Sequence, residues 1–373
     1  MFFNTMFNYG GPIMTLIKWP GGKSREIKEF EKYIPAFNRY IEPMVGGGAV
    51  FFYLSPKKAL INDISTNLMM FYKFVKEQDS LFKTILLDYH NSFSYFYNVS
   101  LENIKLLELH YINQTTITEK EISSIFDVNK FSDFIPNTAM FLSYLTNSMN
   151  DKIRRLYRNN QKKPMNDEDI HNNLLTGITS GYYLYFRKIY NDIQLNTADF
   201  DYTHQYKAAN FYWIREYCYG SMFRYNKNNL FNIPYGGISY NKKNFLKKIN
   251  EIFNDNMRST FESTELYNND FESFLNSVSL KEDDFIFLDP PYDTNFSDYE
   301  NRSFDQNDQV RLRDFLITVP SKFMLVIKNT EFIFNLYNNE HFNFINFEKK
   351  YTYNVRSRND RNVSHLIITN YKL

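Results

Sequence analysis

The hydrophobic pattern of the chain changes character twice. It opens with short apolar runs bounded by glycine or proline: Leu16-Ile17 ahead of Pro20-Gly21-Gly22, Tyr40-Ile41 within residues 39–43, and Ala59-Leu60-Ile61 within residues 59–63. Runs of this length with such flanks predict buried strands. Between them, residues 24–33 and the stretch from Ala49 carry helical spacing, with Ser24 as candidate N-cap. Across residues 70–255 the strand–helix alternation stops and helical periodicity dominates, with Asn- and Lys-rich stretches; residues 159–164 (Asn-Asn-Gln-Lys-Lys-Pro) predict an exposed loop. Strand-like runs return at residues 285–288, 322–327 and 365–369. Near-continuous apolar strands belong to sheets covered on both faces, so the pattern predicts an α/β fold with a mostly parallel sheet, split by a long helical insertion. The boundaries expected are residues 14–72 and 256–373 for the sheet domain and 73–255 for the insertion, with residues 1–13 a dispensable extension.

Composition adds bounds rather than function. Of 373 residues, 43% are hydrophobic and 23% charged, enough for a sizeable buried core. The 37 Phe and 30 Tyr are ascribed mainly to AT-rich codon usage, with only a few rings left for base stacking. A net charge of +1 neither requires nor excludes nucleic acid, because a basic face can sit within a balanced total. The single cysteine, Cys218, excludes a disulfide framework and a cysteine-based metal site and fits a reducing cytoplasm; no metal is expected. The amino terminus lacks the basic region and cleavage site of a secretory signal, and no apolar run reaches membrane-spanning length.

Two segments carry candidate chemistry near the amino terminus. In Ile41-Glu42-Pro43-Met44-Val45-Gly46-Gly47-Gly48, glycines lie between a predicted strand and helix, where they admit positive φ and close approach of a ligand to the backbone. Asp63 follows at the end of the next strand, where a carboxylate can accept from ribose hydroxyls. A dinucleotide and S-adenosylmethionine would satisfy this pair equally, and alone it is also compatible with an ordinary turn and a solvated aspartate. Lys18-Trp19-Pro20-Gly21-Gly22-Lys23 adds a flat aromatic ring and a cation.

The most informative segment is Asp289-Pro290-Pro291-Tyr292, directly after the apolar run 285–288. Ligands of open α/β sheets bind beyond the carboxyl ends of the strands. Two prolines stiffen the backbone and remove two donors while keeping their carbonyl acceptors. A carboxylate and the carbonyl of Pro290 can together accept both hydrogens of an aromatic amine, localising its lone pair on nitrogen for attack on a methyl sulfonium, while Tyr292 stacks on the base. A base inside a duplex reaches such a loop only by flipping out.

Together with INDIS (61–65), MFRYNKNNLFNIPYG (222–236), NDF (269–271) and HLIITNY (365–371), these motifs resemble the Dam-like (D12 class, alpha group) adenine-N6 DNA methyltransferases, in that family's order and over nearly the whole chain. Gln309-Val310-Arg311-Leu312 also resembles the segment that follows DPPY. The resemblance implies a Rossmann-like methyltransferase with a seven-stranded, mostly parallel sheet and an inserted target-recognition domain carrying a β-hairpin. It implies that Trp19, Lys23, Glu42, Gly46, Gly48, Asp63, Phe271 and Asp289 bind S-adenosyl-L-methionine and that Asp289, Pro290, Pro291 and Tyr292 hold the target adenine. Tyr219, Arg224, Asn226, Asn232, Pro234, Arg356 and Arg358 would contact DNA, with Arg224 reading a guanine. Basic runs at 152–163, 242–248 and 356–361 would meet phosphates. The expected partner is double-stranded DNA, the enzyme acting in a restriction–modification system, with a cognate restriction endonuclease acting separately as a candidate, or as an orphan or phage methylase; a cytoplasmic monomer is expected. Cytosine-N4 or RNA amino-methyl transfer, and a DNA-binding homologue without activity, are the alternatives. The recognition sequence is not given by the residues; GATC follows from resemblance alone.

Overall fold

The computed structural model describes residues 15–221, 224–238, 244–291, 304–350 and 362–373. Tyr292, Arg356, Arg358 and residues 1–14 lie outside them, as do Phe223, Lys242, Lys243 and Arg361. The chain forms two compact units, Met1–Glu77 with Asn254–Leu373, and Gln78–Phe253.

The first unit is built on one seven-stranded sheet. Its strands are β1 (Arg39–Glu42), β2 (Ala59–Asn62), β3 (Thr264–Tyr267), β4 (Asp284–Leu288), β5 (Lys322–Lys328), β6 (Asn343–Lys350) and β7 (Asn362–Thr369), in the order β3-β2-β1-β4-β5-β7-β6. Strands β1 to β5 run parallel, and β7 inserts antiparallel between β5 and β6. This is the mostly parallel sheet that the hydrophobic pattern predicts, with the seven strands that the resemblance implies.

The central strands are apolar because both faces are covered. Ile41, Leu60, Ile286, Leu288, Phe323 and Leu325 pack with Phe274, Leu275 and Leu312 in one buried cluster. Each such side chain contributes about 1.5–3 kcal/mol on burial. The connections from β1 to β2 and β3 lie to one side of β1, and those from β4 to β5 lie to the other. The carboxyl ends of β1 and β4 therefore form the topological switch point, the position where open α/β sheets bind ligands.

Three local expectations change. Leu16 and Ile17 form bends rather than a strand, although both are buried. The first helix is shorter than residues 24–33: it spans Ile27–Phe30, its N-cap is Glu26 with no side-chain cap, and a 3₁₀ turn, Glu31–Tyr33, follows. Ser24 therefore does not cap it. Residues 159–162 are not loop, since the helix Thr138–Lys162 runs through them and ends only before Pro164, which cannot continue a helix.

The second unit is helical. Ser80–Glu102, Thr138–Lys162, Asp167–Gln194 and His204–Tyr217 are its main helices, and its core is aromatic. Tyr89 stacks on Trp213 at 5.1 Å, and Phe96, Phe141, Tyr182 and Phe186 fill the space beside them. Many of the chain's rings thus pack against one another, whatever the codon usage that supplied them. Gly181 marks a close helix crossing: a β-carbon there would lie 2.8 Å from the Tyr144 carbonyl oxygen. The asparagines also serve at helix starts, where Asn137, Asn166 and Asn244 accept from backbone N–H groups as N-caps. No helix among the described residues is long and apolar enough to cross a membrane.

Candidate active site and recognition hairpin

The switch point gathers the amino-terminal motifs around the ends of β1, β2 and β4. After β1 the chain turns through Met44–Gly48, with Gly46 (φ +49°) and Gly48 (φ +68°) in the left-handed region that only glycine occupies at low cost. At Gly46 the requirement is also steric, because a β-carbon would fall 2.7 Å from Trp19 Cδ1. The segment Lys18–Lys23 is thus laid directly on the glycine loop, and Trp19 faces that loop.

Asp63 ties the loop down. Gly46 N–H donates to its Oδ2 at 3.0 Å and Ser65 N–H to its Oδ1 at 2.9 Å, while the Tyr72 hydroxyl donates to the Gly46 carbonyl at 2.8 Å. Beside it, the side-chain amide of Asn62 donates to the carbonyls of Pro43 (2.8 Å) and Asn269 (2.9 Å) and accepts from Asn269 N–H (2.8 Å). One buried asparagine therefore joins the ends of β1, β2 and β3. It lies within the INDIS segment (61–65), and Asn269 within NDF (269–271), but the motifs assign neither a role. The only local sign of it is a polar residue closing an otherwise apolar strand.

Lys23 and Asp289 form an ion pair, and Lys23 is only 1% exposed. Pro290 is buried, and the Pro291 carbonyl accepts from Gln309 Nε2 at 3.1 Å. Phe271 opens the helix Phe271–Ser277 just after β3 and is buried. Its ring lies 5.6 Å from Phe304 and 4.9 Å from the guanidinium of Arg311. Arg311 in turn bonds Asp270 (2.8 Å), Glu272 (2.8 Å) and Asp308 (2.7 Å). Of the residues expected to bind cofactor and base, Trp19, Gly46 and Asp63 meet at the glycine loop and Lys23 meets Asp289. Tyr292 is outside the described residues.

Glu42, 3% exposed at the end of β1, accepts from the Tyr40 hydroxyl at 2.8 Å. Burial pushes its carboxyl well above the usual range, against the opposing effect of the Tyr40 bond, and the carboxylates of Asp289 and Asp63 add to the rise. The protonated form therefore suits the fold. Its stabilising effect is complete below the ordinary carboxyl pKa of about 4 and is lost as pH rises through the raised value, on the order of 1 kcal/mol per pH unit. Glu42→Gln is neutral throughout and should remove this loss. Melting temperatures of both proteins across pH check it; a wild-type-to-variant difference that does not change with pH would count against a protonated Glu42.

In the second unit, among the described residues of 218–236, Cys218 bridges to Tyr235 and Tyr225 to Phe231, both antiparallel. Tyr219 N–H donates to the Pro234 carbonyl at 2.9 Å. The helix Asp167–Gln194 holds the loop. Asn191 donates to the Phe231 carbonyl and accepts from its N–H, and the Ile233 carbonyl accepts from Tyr183 and Arg187, each at 3.0 Å. Asn226 uses its side-chain oxygen within its own turn, accepting from Asn228 and Leu230 N–H. Arg224 is exposed, and its Nε donates to Asn232 Oδ1 at 3.1 Å. Tyr219, Arg224, Asn226, Asn232 and Pro234 thus share one loop; Arg356 and Arg358 fall outside the described residues. Of the basic residues on the helix Thr138–Lys162, Arg154, Arg155, Arg158 and Lys162 are exposed and Lys152 is half-buried. Among the described residues no cluster of metal-binding side chains occurs.

Known proteins bear on this arrangement. A type II methyltransferase of Paramecium bursaria Chlorella virus NC1A, M.CviBI, is 26% identical over 95% of this chain and 99% of its own length. M.MjaIII, a type II methyltransferase of Methanocaldococcus jannaschii, is 26% identical over 96% and 99% respectively. A DNA adenine methylase of Vibrio cholerae is 22% identical over 80% of this chain and 74% of its own. The sequence profile of the D12 class N6 adenine-specific DNA methyltransferases matches residues 19–135 and 134–353. With the profile spanning both cofactor and DPPY motifs, the chain belongs to the D12 class of N6 adenine-specific DNA methyltransferases.

Proposed function

We propose that this enzyme transfers a methyl group from S-adenosyl-L-methionine to adenine N6 at a specific site in double-stranded DNA, on a base flipped out of the helix. The observation that carries the reading is the meeting of the Trp19–glycine loop contact, Asp63 and the Lys23–Asp289 pair at the β1/β4 switch point. The residues fit the cofactor: the glycine loop presents backbone to a ligand, Asp63 brings a carboxylate whose oxygens each accept more than one hydrogen bond, and Phe271 offers a braced ring for an adenine. Trp19, Lys23, Glu42, Gly46, Gly48, Asp63 and Phe271 would hold it. When bound, it supplies a methyl group on a positively charged sulfur.

The protein's own part is positioning and electrostatics. Asp289 and the Pro290 carbonyl would accept the two amino hydrogens, drawing the lone pair onto nitrogen. Tyr292 would stack on the base. The proton leaving N6 has an acceptor in Asp289, and Lys23 holds a cation against that carboxylate. Three relatives bear the name type II methyltransferase, which supports a restriction–modification setting with a separately acting endonuclease. We read the enzyme as a cytoplasmic monomer.

Arg224, with Nε held by Asn232, keeps its two terminal nitrogens for a bidentate contact to guanine O6 and N7. Arg224→Ala should lose about 1–3 kcal/mol of discrimination at one position of the site. The test is tritium transfer from labelled cofactor to a set of oligonucleotides, each with one substituted base pair, at two salt concentrations, with the modified base identified after digestion. Uniform loss on every sequence, with the salt slope reduced by about one, would make Arg224 a phosphate contact instead. Recovery of a methylated base other than N6-methyladenine would overturn the reading as a whole.

A further inference from the structure

The helix Gln306–Thr318 follows the DPPY segment and packs through Leu312 and Leu316 into the sheet's buried cluster. Gln309 occupies the same stripe, three residues before Leu312, and is 0% exposed. Its Nε2 donates to the Pro291 carbonyl at 3.1 Å. Its Oε1 is buried and has no hydrogen-bond partner among the described residues. A buried polar oxygen without a partner destabilises, and an apolar side chain of similar length would not carry that cost. The packing of the helix therefore does not explain a glutamine at this position. The bond to Pro291 does distinguish it from an apolar residue.

That bond lands where the backbone has few other means of being fixed. Pro290 and Pro291 have no N–H, so these two residues offer only their carbonyls as handles for fixing the backbone. Among the described residues nothing donates to the Pro290 carbonyl, while the Pro291 carbonyl is taken by Gln309. Because the ring of Pro291 fixes its φ, turning the Pro290–Pro291 peptide also shifts the Pro291 carbonyl that Gln309 holds.

We propose that Gln309 is a positioning residue for methyl transfer: by holding the Pro291 carbonyl it sets the direction of the Pro290 carbonyl, and with it the second acceptor for the adenine amino group. The inference rests on the reading of Asp289 and Pro290 as the base-holding pair. Gln309 touches neither base nor cofactor in this scheme. It acts only through the loop.

The role separates from a structural one by the sign of two effects. Gln309→Met deletes the donor together with the unpaired oxygen, so its melting temperature should be equal to or above wild type. Its kcat should nonetheless fall roughly tenfold to a hundredfold, the scale of an ångström-sized misplacement at a reacting group, with cofactor affinity unchanged. Gln309→Glu offers a hydroxyl donor to Pro291 only while protonated. Its kcat relative to wild type should therefore rise as pH falls through the pKa of the introduced carboxyl, a dependence that a packing role does not generate. Full kcat in Gln309→Met would overturn the proposal, and so would a loss of kcat matched by a loss of melting temperature. A pH-independent ratio for Gln309→Glu would do the same. Asp289→Asn assayed alongside keeps the two readings apart: if that variant is fully active, the base-holding assignment fails, whereas an inactive Asp289→Asn with an unaffected Gln309→Met rejects the role of Gln309 alone.

Discussion

Asp289→Asn is expected to lower methyl transfer roughly 10²–10⁴-fold, the range associated with removing a positioned acid–base or electrostatic group. Asparagine keeps the size of the side chain and one oxygen, but it loses the negative charge that, on the proposed reading, would draw density onto the amine and receive its proton. The choice of asparagine over alanine follows from Lys23, which is almost wholly buried and paired with this carboxylate. Alanine would remove the acceptor as well as the charge that Lys23 pairs with here, where asparagine keeps an acceptor oxygen. Breaking a buried pair costs about 3–5 kcal/mol, so with alanine lost activity would be mixed with lost fold. Single-turnover tritium transfer at saturating cofactor gives the rate, and a melting curve reports the fold. Activity within tenfold of wild type would remove Asp289 from the chemistry.

Asp63→Ala should weaken cofactor binding about 10–100-fold while leaving DNA binding nearly unchanged. Two contributions add. Both carboxylate oxygens accept from backbone N–H groups, and one of these belongs to Gly46, so alanine frees the glycine loop. Hydrogen bonds to charged acceptors contribute about 1.5–3 kcal/mol each, so a partial loss of loop order and of the ribose contact readily reaches a factor of 10–100. Calorimetry with S-adenosylhomocysteine measures the first quantity and fluorescence anisotropy with a duplex the second. An unchanged cofactor affinity would reduce Asp63 to a support for the loop that binding does not sense.

The strands that lie under cover were legible because an apolar, β-branched run has few other uses: β1, β2, β4, β5 and β7 all read this way. Strand β6 did not, since Asn343-Phe344-Ile345-Asn346 mixes polar and apolar residues in an edge strand, and no run marks it. Strand β3, also at an edge, carries no apolar run: in Thr264-Glu265-Leu266-Tyr267 only Thr264 is buried. Motif residues such as Asp63 and Asp289 were legible from their place after a strand. Asn62 and Gln309 lie within family-like segments, yet their roles were not legible, because their partners arise from the fold: Asn62 meets Asn269 across 207 positions. The asparagine that clamps Phe231 is likewise one of many on a polar helix face. The Lys23–Asp289 pair joins two residues that were each singled out, yet nothing in the sequence linked them.

The neighbours at the middle of the sheet are distant in time as well as in sequence. Arg39 of β1 binds Asp284 of β4, 245 residues later. At translation speeds of about 5–20 residues per second, roughly ten seconds to a minute separates their emergence from the ribosome. In that interval residues 78–253 are complete and rich in local helix pairings, the kind that form fast. The first two strands, by contrast, must wait with Tyr40, Ile41, Leu60 and Ile61 exposed to water. The nascent chain is therefore expected to close its helical unit before its sheet, and the interval before Asp284 emerges is the one in which the first strands would be shielded only by other means.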